Sequence, residues 1–185
     1  SRTEAFAGAL SGVVASTTPA GIHVGNGLID IQADAVMTAI ADIDGGGIGA
    51  INVQLYEPKA LVNGATRAYV REGVDVDAGN LSIQAGEETD RIDFVANAST
   101  QNGGFSLIGT FQDLQPSATV SAVVEAFVGA STDTVGGGDP NAQIVLTNAT
   151  QLVIEAWGNF DAEATVESGS GSLGVTVDSI NPFAD

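Results

Sequence analysis

The 185-residue chain has no cysteine, so it can form neither a disulfide nor a thiolate metal site. Basic residues are nearly missing as well: five Lys and Arg stand against 23 Asp and Glu, for a formal net charge of −18. A field of that sign repels nucleic-acid phosphates and anionic membrane surfaces, which argues against both as partners. No apolar run reaches the roughly 18 residues that a bilayer-spanning helix requires, so no membrane insertion is expected. Aromatic residues are 5% of the chain although 44% is hydrophobic, so Ala, Val, Ile and Leu carry the apolar content, beside 24 Gly. Small and β-branched side chains suit thin, closely stacked strands better than a bulky centre. The sequence opens on Ser1 without a basic-then-apolar leader, and it reads as a chain that was processed or cut from a longer one.

What is present is repetition. The stretches Ile22–Ala33, Val74–Ala85 and Ile144–Ala156 each run as an alternating strand, a Gly/Asn turn and a second alternating strand that ends in Ala. A block precedes each of them: Glu4-Ala-Phe-Ala-Gly8, Arg67-Ala-Tyr-Val-Arg71 and Glu125-Ala-Phe-Val-Gly129. A third block follows each: Gly47–Leu55, Gly104–Gln112 and Ser172–Asp178. Three blocks in one order, three times over, define tandem repeats of approximate extent 1–64, 65–122 and 123–185. The spacing is uneven, and the differences fall in loops such as 131–142, as repeats on a constant strand frame tolerate. Ala33–Ile43 has some helical character, but Gly45-Gly-Gly47 beside it reads as strand. Elsewhere the period is two, with Gly, Asn, Asp and Pro at the turns.

The expected fold is all-β: a parallel β-solenoid built of tandem repeats, with a β-sandwich as the alternative. At a typical 20 to 25 residues per coil, about two or three coils are expected per repeat. Gly45–Val53, Asn63–Val70 and Val74–Ala85 resemble the repeats of very large bacterial filamentous adhesins, of the leukotoxin and filamentous haemagglutinin kind. The resemblance implies a secreted β-solenoid shaft with structural or adhesive duty, and it supplies no catalytic residues. The third repeat departs most, with Ser168-Gly-Ser-Gly-Ser172 in place of the glycine run.

Little chemistry competes with that reading. A lyase or hydrolase on such a frame needs bases or paired carboxylates in one cleft, yet Arg2, Lys59, Arg67, Arg71 and Arg91 are all the bases there are. Arg67 and Arg71 flank Tyr69 at even spacing and so share a strand face, but no sister repeat keeps a base there, and they read as surface or structural groups. His23 is the only imidazole, too few for a transition-metal site. It aligns with Asp75 and Val145, which marks a tolerant outward position.

Calcium is the one ligand the residues suggest. Oxygen donors gather at Asp75, Asp77 and Asn80, and at Glu87, Glu88 and Asp90. The competing reading is a set of solvated acidic turns, since neither an EF-hand nor a Gly-Gly-x-Gly-x-Asp repeat occurs. Asn80, Asn97 and Asn148 open N-glycosylation triplets. Trp157 could stack on a sugar or cover a loop.

The expected function is therefore a non-enzymatic structural or adhesive segment of a secreted, cell-surface or extracellular-matrix protein. Its partners would be further repeats or copies of itself end to end, and surface glycans. The alternatives are a self-assembling filament subunit that stacks head to tail, and a carbohydrate-binding or carbohydrate-active β-helix. For the head-to-tail form, the stretch from Pro182 onward and the block beginning at Glu4 look like two halves of one junction, with spacing close to Pro58–Ala68 and Pro116–Ala126.

Overall fold

Period-two alternation becomes extended strand in the computed structural model, which describes residues 2–7, 20–71, 74–129, 144–145 and 151–185. The first pass of the chain holds β1 (Arg2–Ala7), β2 (Ala20–His23), β3 (Leu28–Ala33) and β4 (Val36–Tyr56). The second holds β5 (Lys59–Val70), β6 (Val74–Asp77), β7 (Asn80–Ala85) and β8 (Ile92–Leu114). The third holds β9 (Ser117–Val128), β10 (Ile144–Val145), β11 (Gln151–Ala156), β12 (Gly158–Ser172) and β13 (Val175–Ile180), followed by β14 (Phe183–Ala184). No helix occurs among the described residues, and the stretch from Val36 past Ile43 is strand. The repeat boundaries at 64 and 122 fall inside β5 and β9, where the strand continues without a turn.

Equivalent strands of successive passes pair in parallel. Ala33 pairs with Ala85, and Ala85 with Ala156. Likewise Phe6 pairs with Tyr69 and Val177 with Phe111. Each pairing with a described register is parallel, whereas an immunoglobulin-type sandwich is built of antiparallel sheets. One correction follows for the coil size. A whole repeat makes a single pass, not two or three coils, because its hydrogen-bonding partner is the same strand one repeat away.

Two compact units result, each drawing on all three passes. The first comprises residues 1–36, 64–92 and 123–159. Its inward side chains alternate along β6 and β7, where Val74, Val76, Leu81, Ile83 and Ala85 are buried while Asp75, Ser82 and Gln84 point outward. Fully burying a side chain of Leu or Ile size contributes about 1.5–3 kcal/mol, so the middle pass anchors this unit.

The second unit comprises 37–63, 93–122 and 160–185. Its central strand β8 pairs with β4, β12 and β13. Phe94, Ala96 and Ala98 line its interior, followed by the buried polar groups Thr100 and Asn102. Beyond them the chain bends. Ser106 Oγ lies 3.0 Å from Thr110 Oγ1, and Ser172 Oγ lies 3.1 Å from Thr176 Oγ1. Residues four apart in a straight strand would stand about 13 Å from each other. Thr110 and Thr176 are register partners, so the corner recurs from pass to pass.

Candidate functional site

The sheet that carries β1, β5 and β9 brings cationic side chains together with a column of three aromatic rings. Arg67 faces Glu4 across the β1–β5 pairing. Its Nε donates to Glu125 Oε2 at 2.6 Å on β9. The Arg67 side chain is only 4% exposed, so this is an interior ion pair. Glu4 accepts from Arg2 Nε at 2.6 Å and from the Tyr69 hydroxyl at 3.5 Å.

Two residues along the strands, Phe6, Tyr69 and Phe127 stack, with ring centroids 5.4 and 4.8 Å apart. Arg71 lies over Phe6, its guanidinium carbon 4.6 Å from the ring centroid. Of the surface and structural readings of Arg67, its burial selects the structural one. Columns of the repeat alignment set Arg67 between two glutamates, and that charge alternation was the legible signal. Chemically the cluster neutralises itself: a buried cation is held against partly buried carboxylates, with the aromatic column beside them.

A second polar cluster lies inside the other unit. Asn102 Nδ2 donates to Gln54 Oε1, which also accepts from Gln112 Nε2 at 2.9 Å. Ser168 Oγ donates to Gln112 Oε1 at 3.3 Å. Gln54 and Gln112 are 4% and 3% exposed, so these amides form an interior ladder between passes. A cavity of about 440 Å³, lined by Asp44, Gln101, Asn102, Glu167 and Ser168 among others, lies at this end. Nothing in the sequence pattern marked these amides, because Asn and Gln are equally at home on a solvated face.

The acidic residues read as calcium ligands divide into two places. Asp75 and Asp77 project outward from β6, and Asn80 opens β7. Glu87, Glu88 and Asp90 occupy the exposed turn between β7 and β8, closed by the Glu87 N–H to Asp90 carbonyl bond at 3.0 Å. Glu87 Oε1 accepts from Gln32 Nε2 at 3.1 Å. A cavity of about 200 Å³ lies beside Gln32, Gln84, Glu87 and Asp90. Among the described residues no three or more His, Asp or Glu side chains converge as a metal-holding group.

His23 pairs with Asp77, not with Asp75, and its Nδ1 lies 3.7 Å from Asp77 Oδ2. The shift has a plain cause: Val24–Gly27 joins β2 to β3, while only Ala78 and Gly79 join β6 to β7. Trp157 is half-buried, donates to Glu155 Oε2 at 3.3 Å and lies under the Arg91 guanidinium at 5.2 Å. Asn80 and Asn97 of the glycosylation triplets lie within paired strands. Asn148 and the loop 131–142 fall outside the described residues.

The described strands define an all-β protein of parallel sheets, with the same strand from each repeat stacked on its equivalent. No protein-family model, curated protein or solved structure matches the chain.

Proposed function

We propose that the chain is a shaft: a non-catalytic, structural and adhesive repeat segment of a secreted cell-surface or extracellular-matrix protein, folded as a parallel β-solenoid with one repeat per coil. One observation carries the reading. Equivalent residues of three tandem repeats pair in register, as Ala33, Ala85 and Ala156 do, so length is added by adding repeats. The acidic surface keeps such a shaft soluble at high local density. The polar groups that come together, Arg67 with its glutamates and the Gln54–Gln112 ladder, bond to one another across passes, which suits cohesion. The resemblance of Asn63–Val70 and Val74–Ala85 to filamentous-adhesin repeats supports the adhesive part.

Beads coated with the chain test this reading. They should adhere to glycan-bearing cell surfaces or matrix more than beads coated with an unrelated protein of equal negative charge. Equal adherence would remove the adhesive role.

A further inference from the structure

In the third pass, β11 leaves apolar side chains uncovered. In β7, which has a neighbour on both edges, Leu81 and Ile83 are 1% and 0% exposed. Their register partners in β11, Leu152 and Ile154, are 53% and 43% exposed. β11 and β3 are the two edge strands of this sheet among the described residues. From the geometry we infer that the β11 edge docks the β3 edge of a second copy of this chain, in parallel and in the register already used inside the molecule. The inference rests on the solenoid reading above and names its partner.

The register follows from β7, which pairs with both edge strands. Leu81 pairs with Ile29 on one side and Leu152 on the other, and Gln84 likewise with Gln32 and Glu155. A β3 strand placed on β11 therefore sets Ile29 over Leu152 and Gln32 over Glu155. The contact is complementary. Apolar side chains meet the exposed apolar pair, and the Gln32 amide meets the Glu155 carboxylate. That carboxylate already accepts an amide N–H from Gln84 at 3.4 Å. The match is head to tail, because each edge fits the other and not itself, so a docked pair still offers one free edge of each kind. Unpaired parallel edges of this kind recruit further strands. The opposing term is the −18 charge on each copy, which salt screens.

The absence of cysteine makes the register directly readable. Within one chain, residues 32 and 155 are separated by the intervening strand that carries Gln84, too far apart to bridge. Gln32→Cys and Glu155→Cys variants, mixed and oxidised at high protein concentration and about 0.5 M salt, a Debye length of only a few ångströms, should form a disulfide-linked dimer. The doubly substituted chain should form a ladder of oligomers. Adding Ile154→Lys should reduce cross-linking about tenfold or more, the effect of some 1.4 kcal/mol.

Variants that keep the parent's strand-rich circular dichroism and melting temperature but stay monomeric overturn the docking while leaving the shaft reading intact. Equal cross-linking of either single variant with itself overturns it as well, since that requires a symmetric contact. A parent chain without β-structure defeats both readings.

Discussion

Arg67 Nε lies 2.6 Å from Glu125 Oε2, one repeat further along the chain, in a position where the arginine is almost wholly buried. Removing the cation strands a partly buried carboxylate, and breaking such pairs costs about 3–5 kcal/mol. Arg67→Ala should fall at the low end of that range, because Glu125 keeps 22% of its side chain exposed. The double variant Arg67→Met/Glu125→Leu should recover more than half of the loss. Urea unfolding of the three proteins measures both, and a single variant as stable as the parent would mean that the pair contributes nothing.

The middle pass should be the most sensitive to truncation. Ile83 is fully buried, so Ile83→Ala is expected to destabilise by about 2–5 kcal/mol. Ser82→Ala, one residue away and facing outward, should stay within about 0.5 kcal/mol. Equal effects in thermal unfolding would contradict the alternation of faces along β7.

Two glycines with positive φ separate backbone strain from crowding. Gly25 has φ 59° and open space where a Cβ would go. Gly25→Ala should therefore cost only the left-handed penalty of about 1–2 kcal/mol. Gly86 has φ 71°, and its added Cβ would lie 2.5 Å from the Trp157 carbonyl oxygen. Gly86→Ala should cost clearly more than Gly25→Ala in the same denaturation assay, and the reverse order would refute the close approach to Trp157.

Calcium and sodium at matched ionic strength should raise the melting temperature equally, by screening the −18 charge. Specific binding would add a concentration-dependent shift for calcium alone. Differential scanning calorimetry decides. A calcium excess lost in Asp75→Asn or Asp90→Asn variants would locate a site among the acidic turns.

Strand content, parallel stacking and much of the register were legible because a repeat aligned with itself is also a list of neighbours. Glu4, Arg67 and Glu125 form one column of that alignment and one row of adjacent strands. Legibility failed where turn length changes. Alignment across the four-residue turn Val24–Gly27 set His23 beside Asp75 instead of Asp77. It failed too for the amide ladder of Gln54, Asn102 and Gln112, since a bend at Ser106–Thr110 brings together residues that alternation alone keeps apart. Coil size was misjudged because local spacing does not reveal how far the chain travels before it returns.

The longer turn at Val24–Gly27 has a consequence of its own. Two extra residues enter the chain there, yet Ile29 still finds Leu81 and Ala33 still finds Ala85. The length difference is thus absorbed within that one turn. The rim of this fold can therefore accept a longer or shorter turn while the paired strands beside it keep their places, so turn length and strand register are separate variables.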